Sequence, residues 1–367
     1  MKRILVVMMY AVLVASLLVG CGTTPTPTPK PTQPAAAVEA TPTKIVGIEG
    51  YYAVLPTTEP VPPGVVPRAT PRHETGYRIG FARNGDAPYN AAQSRGMRAK
   101  ATELGVELVE TNAKFDAAVQ AEQIRDLVSR DLDGLIVMPC DGTAVVPVLA
   151  EVYQQTKQER GTPLPIFILN AAIDPSGDPY TIGFSGPDDV AMGKQAAELM
   201  AQALGGKGNV LMVSGSASPP AILRRQGFMQ GLAKYPDIQV IDDQPADWDP
   251  NKAIAVTRDM LTRHQGKVQG VFAHDDGMAE GAVEALKAAG FKPGDIKVVG
   301  LGAYQSGLRM IKDGWMYGTV LQDPDMDGAL AMESLVKYLR GQNIPRIQYL
   351  AAPVVTKDNV DLIQVRF

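Results

Sequence analysis

Across residues 77–321, short apolar runs rich in β-branched side chains alternate with amphipathic stretches of helical period, and that alternation leaves few folds open. The runs are YRIGFA (77–82), VELVE (106–110), GLIVM (134–138), IFIL (166–169), YTIGF (180–184), NVLMV (209–213), IQVI (238–241), VQGVFA (268–273), IKVVG (296–300) and YGTVL (317–321). Helical stretches lie between them, among them 90–104, 117–130 and 144–155. In 117–130, Ala117, Ala121, Ile124, Leu127 and Val128 share one stripe, whereas Glu122, Arg125, Asp126 and Ser129 face water. Strands that are apolar throughout are buried on both faces, and helices between them mark parallel sheets with a helical layer on either side. The sequence therefore predicts an α/β fold, and residues 76–363 are long enough for two lobes of ordinary domain size.

In open α/β sheets ligands collect at the carboxyl ends of the strands, so the residues just after each run carry the information about function. Here they are NGDAPYN (84–90), PCDGT (139–143), Asn170, SGSASPPAI (214–222), Trp248, His274 to Asp276, Gly302 to Gln305, and Gln322 to Pro324. Amides, carboxylates and aromatic rings dominate. Such groups exchange hydrogen bonds with hydroxyls and cover C–H faces, which suits a small, neutral, hydroxyl-rich ligand.

The amino terminus predicts export. Lys2 and Arg3 precede an apolar run over 4–19, and Leu18-Val19-Gly20-Cys21 places small residues before a cysteine. The run is too short for a comfortable membrane span. The tetrapeptide resembles the bacterial lipobox, which implies lipid on Cys21 and a signal peptide over 1–20. Residues 22–75 then hold 12 of the 29 prolines and open on TTPTPTPKPTQP, the composition of an extended spacer. Within it, the apolar stretch 44–55 could dock on the folded body.

Removing 1–20 leaves 39 acidic side chains against 33 basic ones, so the mature chain is mildly acidic and has little electrostatic pull on nucleic acid. With Cys21 given to lipid, Cys140 is the single remaining thiol, and no intramolecular disulfide is expected. Catalysis is not expected either: there are three histidines, no HExxH and no Gly-x-Ser-x-Gly, and no cofactor or metal is implied. Gly205-Gly206-Lys207-Gly208 precedes a strand instead of following one, so it reads as a helix stop and not as a phosphate loop.

Several strings in fixed order resemble the type I periplasmic solute-binding proteins of ABC transporters, in their ribose and galactose branch. These are YRIGFA followed by Asp-Ala-Pro-Tyr and a helix with Gly96, DGLIVMPCD, Arg224-Arg225-Gln226-Gly227-Phe228, QPADWD, VFAHDDGMAEGA, GLRMIKDGWMYGTVLQDP and PVVTKDNVDL, covering about 77–361. The resemblance implies two Rossmann-like lobes joined by a three-stranded hinge, with crossings near Phe184, Asp323 and Pro353. It implies an amino-terminal lobe of 76–184 with 323–353 and a carboxyl-terminal lobe of 185–322 with 354–367. It also implies a monomer that delivers a monosaccharide or polyol to an ABC permease with a cytoplasmic ATPase, tethered to the outer face of the cell membrane. A lipid-anchored sensor presenting ligand to a chemoreceptor or kinase, and an importer component for a nucleoside, share the fold.

By the same resemblance Tyr89 and Trp248 are stacking aromatics, Asn170 stands where an aspartate is usual, Asp275 follows the seventh-strand run, and Gln322 lies at the last crossing. Asn90 replaces a second stacking aromatic, and Ala171, Ile222 and Gly302 replace two arginines and an aspartate. Asp86 and Asp141 complete the candidate ligand-binding set. Several have a plainer reading: Asp86 as a turn former, Asp141 as a helix cap, Trp248 as seam packing, Gln322 as a hinge tie, and Asp275 and Asp276 as one cap and one ligand contact. Met138 and Met278 are read as core fillers.

Overall fold

The computed structural model of the protein describes residue 73 and residues 76–364; the apolar leader, Cys21 and the 44–55 stretch lie outside the described residues. The chain begins with β1 (Arg78–Arg83), α1 (Pro88–Leu104), β2 (Glu107–Asn112), α2 (Ala117–Val128), β3 (Gly134–Val137), α3 (Val146–Arg160), β4 (Ile166–Leu169) and β5 (Gly183–Gly186). It continues with α4 (Asp189–Leu204), β6 (Gly208–Ser214), α5 (Pro219–Leu232), β7 (Ile238–Pro245), α6 (Pro250–Arg263), β8 (Gly270–Ala273), α7 (Asp276–Ala288), β9 (Lys297–Val299), α8 (Gln305–Lys312) and β10 (Gly318–Val320). It closes with α9 (Pro324–Leu339), β11 (Ile347–Tyr349) and β12 (Val354–Thr356).

Two six-stranded sheets result, in the orders β2-β1-β3-β4-β5-β11 and β7-β6-β8-β9-β10-β12. The chain passes between them after β5, after β10 and after β11. Every pairing of these named strands is parallel except β12 with β10. That exception departs from the uniformly parallel expectation for a simple reason. β12 enters the second sheet directly from β11, with no helical crossover to carry the chain back before it pairs.

Both faces of each sheet are covered, as continuous apolar strands require. Met97, Met332 and Leu335 pack against Phe167 on one face of the first sheet, and Ile124, Leu127 and Leu149 close the other around Leu135. The second sheet has Met200, Phe228 and Phe272 on one face and Val283, Leu286 and Met278 on the other. The helix pairs α1 with α9 and α4 with α5 approach closely through glycine. A Cβ on Gly96 would lie 1.9 Å from the Asp325 carbonyl oxygen, and one on Gly227 would lie 2.1 Å from that of Val190.

Helix ends follow local chemistry. α4 stops at Gly205, whose φ of 63° closes a left-handed cap. The strand anticipated from Tyr180 starts instead at Gly183, because Pro175–Tyr180 forms a 3-10 turn in which Thr181 N–H bonds to the Asp178 carbonyl. In each sheet the order reverses beside β1 or β6, and the loops leaving these strands and their neighbours β3 and β8 flank the reversal.

Candidate functional site

The first lobe's contribution starts in the loop after β1. Asn90, buried at the third position of α1, accepts from Ala87 N–H at 3.2 Å and donates to Asn84 Oδ1 at 2.6 Å, so it pins the loop that presents Tyr89. Asp86 is also a loop tie: its side chain is 66% exposed, with Arg83 Nη1 at 2.9 Å and Asn112 Nδ2 at 2.6 Å on its two oxygens. Tyr89 reaches across to β4 and donates its hydroxyl to Asn170 Oδ1 at 2.7 Å. Burial pushes the Tyr89 hydroxyl well above the ordinary tyrosine range, and the charges it feels include Asp189 and Arg224 of the second lobe. Asn170 itself is buried and sits at φ 65°, in the left-handed region that asparagine tolerates.

After β3, Asp141 Oδ1 accepts from Thr143 and Ala144 N–H, both at 2.8 Å, shaping the entry to α3. The loop is held from beneath by Gln120, a polar residue on the buried stripe of α2. Its amide donates to the Met138 carbonyl at 2.7 Å and accepts from Cys140 N–H at 2.8 Å. Next to Asp141 the lobes touch, since a Cβ on Gly142 would lie 3.0 Å from Pro219 Cγ on α5.

In the second lobe Trp248 sits after β7 at φ 63° and donates Nε1–H to Ser216 Oγ at 2.9 Å. Arg224 lies 5.6 Å from its ring and is itself fixed at 2.8 Å from Asp189 Oδ1 and 2.6 Å from the His274 carbonyl. Ile222, two residues earlier on α5, is 58% exposed. His274 accepts from Gly215 N–H through Nδ1 at 3.3 Å, and burial drives its pKa down to about 3, so the ring stays neutral.

Of Asp275 and Asp276, Asp275 is the one that caps a helix. Asp275 Oδ1 caps α7 by accepting from Met278 N–H at 2.6 Å, while Oδ2 accepts from the Tyr304 hydroxyl at 3.4 Å. Burial pushes its carboxyl up to about 6. Asp276 is fully buried and structural, taking Thr319 Oγ1 at 2.7 Å and Tyr304 N–H at 2.9 Å, and burial raises it to about 7. Gln322, at the second crossing, is 6% exposed, and its Nε2 meets no acceptor among the described residues. Met138 and Met278 are buried fillers.

The sequence gives Arg224, although part of the family string, and Tyr304 no site role of their own. Arg224 stands three residues before Gly227, whereas the family resemblance points to Ile222, five residues before it; Tyr304 lies in the Gly302 to Gln305 loop with no spacing signal of its own. Among the described residues no cluster of histidine, cysteine and carboxylate side chains could hold a metal ion, and no helix is long and apolar enough to cross a membrane.

Two α/β lobes meeting at strand-end loops lined by amides, aromatics and neutralised charges define a solute-binding protein. The pattern of the periplasmic binding protein domain matches residues 81–343, and the chain belongs to that family. It is 31% identical over 286 residues to the xylitol-binding protein of Mycolicibacterium smegmatis, covering 78% of each chain. It is 30% identical over 260 residues to the ribose import binding protein of Haemophilus influenzae, covering 71% of this chain and 84% of the other. Among solved structures it resembles an ABC transporter solute-binding protein from Mycobacterium smegmatis with bound glycerol, at a TM-score of 0.72 and 28% identity over 79% of this chain and 98% of that one. These relatives are binding proteins, not enzymes, and the family works outside the cytoplasm.

Proposed function

We propose that this chain captures a neutral sugar or polyol between its lobes and delivers it to an ABC importer. The observation that carries the reading is the buried Gln322 Nε2, a donor with no protein acceptor among the described residues, placed where the chain crosses between the lobes. A buried amide left unpaired costs about 1–3 kcal/mol, which a ligand hydroxyl would recover. The contacting set is Tyr89, Asn170, Trp248, Asp275 and Gln322, with Asp86, Asn90 and Asp141 fixing the loops around it. A neutral ligand fits because Arg224, the cation beside the Trp248 ring, is matched by Asp189. Ala171, Ile222 and Gly302 supply no charge, which favours a polyol or a sugar other than ribose. Residues 76–184 with 323–353 and 185–322 with 354–367 act as the two lobes, and one chain supplies both, so a monomer suffices.

The test is a thermal-shift screen against xylitol, D-ribose, D-allose, myo-inositol, glycerol and a nucleoside. A ligand at 100 times its dissociation constant adds about 2.7 kcal/mol, a shift well above noise. No shift with any sugar or polyol, and a shift with a nucleoside, would reverse the assignment of ligand class.

Cys21 carries the membrane anchor in this reading, supported by the tetrapeptide before it and the proline-rich spacer after it. One acyl chain binds membranes only marginally, so stable tethering needs the several chains of a lipoprotein. Cys21→Ser should move the protein from the membrane to the soluble fraction; a variant that still sediments with membranes is anchored elsewhere.

A further inference from the structure

The turn that presents Trp248 occurs twice in the molecule. After β7 the chain reads Ala246-Asp247-Trp248-Asp249, and after β2 it reads Ala113-Lys114-Phe115-Asp116. Both alanines are fully buried, and each donates its N–H to the carbonyl of the last residue of the neighbouring strand, Ala113 to Arg83 at 3.0 Å and Ala246 to Ser214 at 2.7 Å. The next two residues are left-handed in both turns, with φ of 52° and 64° at Lys114 and Phe115 and of 53° and 63° at Asp247 and Trp248. Each aspartate then caps the following helix, accepting at 2.8 Å from the N–H two residues on.

The rings take the same place as well. A Cβ on Gly85 would lie 2.2 Å from the Phe115 ring, and one on Gly215 would lie 2.2 Å from the Trp248 ring, so each aromatic lies against the glycine that follows the first strand of its lobe. β2 and β7 are the outer strands of their sheets, at the end away from the strands between which the chain crosses. The two rings therefore flank the cleft from opposite lobes on the side away from the crossings. They differ in one respect: Trp248 is tied to Ser216, whereas Phe115 is 61% exposed. A left-handed turn needs no aromatic ring. Asparagine and glycine adopt that backbone far more readily than phenylalanine does, and strain of this kind collects at functional sites.

We propose that Phe115 is the first lobe's counterpart of Trp248, a second aromatic wall that covers a C–H face of the bound sugar or polyol and restricts which solutes fit. It takes over the stacking role that Asn90 lacks. The proposal rests on the sugar or polyol reading of the cleft.

The variant that separates a ring from a turn is Phe115→Asn, which removes the aromatic face and suits the left-handed backbone. Calorimetry on the full chain with xylitol, D-ribose, D-allose and myo-inositol should show binding of at least one probe by the parent. Phe115→Asn should weaken that binding by about three- to tenfold, the scale of one lost stacking contact, with Phe115→Tyr returning to within about twofold of the parent. The melting temperature of ligand-free Phe115→Asn should equal or exceed that of the parent. If Phe115→Asn binds like the parent while Trp248→Ala is weakened, Phe115 is a turn residue and the reading of the cleft stands. If the parent binds none of the probes, the reading of the cleft fails and the proposal fails with it.

Discussion

The Tyr89 hydroxyl donates to Asn170 Oδ1 at 2.7 Å, joining the first turn of α1 to the end of β4 within the first lobe. The bond fixes the ring's angle. Tyr89→Phe keeps the ring and removes the donor, so a buried acceptor is left unpaired. We expect a stability loss of about 1–3 kcal/mol and weaker ligand binding. A double-mutant cycle with Asn170→Ala, read by denaturant unfolding and calorimetry, should show the two changes to be strongly non-additive; additive changes would mean that the bond carries no coupling.

Gln322 should behave in the opposite way. Because its Nε2 is buried without an acceptor among the described residues, Gln322→Leu relieves a desolvated donor in the free protein. The variant should be more stable than the parent by about 1 kcal/mol in the absence of ligand, yet bind at least about tenfold more weakly. Lower stability together with unchanged affinity would show that Gln322 serves the fold alone.

Asp275 carries two tasks on two oxygens, and substitution can separate them. Asp275→Asn retains Oδ1 as the cap for Met278 N–H and alters only the atom facing Tyr304. It should fold as stably as the parent and lose affinity. Asp275→Ala should lose the same affinity and also about 1 kcal/mol of stability with the cap. Equal affinity of parent and Asp275→Asn, by calorimetry, would leave Asp275 as a helix cap.

Asp327 predicts the pH profile. It is fully buried, accepting from Ser185 Oγ at 2.8 Å and Gln93 Nε2 at 3.0 Å, and burial raises its carboxyl to about 7. Raised above its unfolded value, it lets the native state bind the extra proton, so its contribution is complete below about pH 4 and is lost as pH rises through about 7. Asp276 has the same sign, whereas His274, depressed to about 3, opposes them by gaining stability between about pH 3 and 6.5. Asp327→Asn keeps both bonds with a flipped serine hydroxyl. Denaturant melts from pH 4.5 to 8 should show a change in slope of about one proton relative to the parent. Parallel profiles would mean that Asp327 titrates at an ordinary value.

The α/β class and its alternation of strands and helices were legible in the sequence, because both are local consequences of apolar period and of glycine and proline placement. Residues such as Ile124 and Leu127 revealed their burial by spacing alone. β12 did not reveal its direction, since pairing sense depends on which sheet the chain has just left. The same divide runs through the cleft. Strand ends and aromatic loops named Tyr89, Asn170, Trp248, Asp275 and Gln322 as candidates, but not how each side chain is used.

Tertiary structure alone decided the protein partners of the polar side chains. Asp86 turned to Arg83 and Asn112, Asn90 to its own loop, and Asp276 to Thr319, while Arg224 came into the site from a position that spacing had passed over. A short carboxylate or amide satisfies whichever donor packing brings within about 3 Å, and a residue's partners can lie more than 40 positions away, as Asp276 and Thr319 do. Sequence determines period, turn chemistry and the supply of polar groups; only the fold decides which of those groups answer one another and which, like the Gln322 Nε2, meet no acceptor among the described residues.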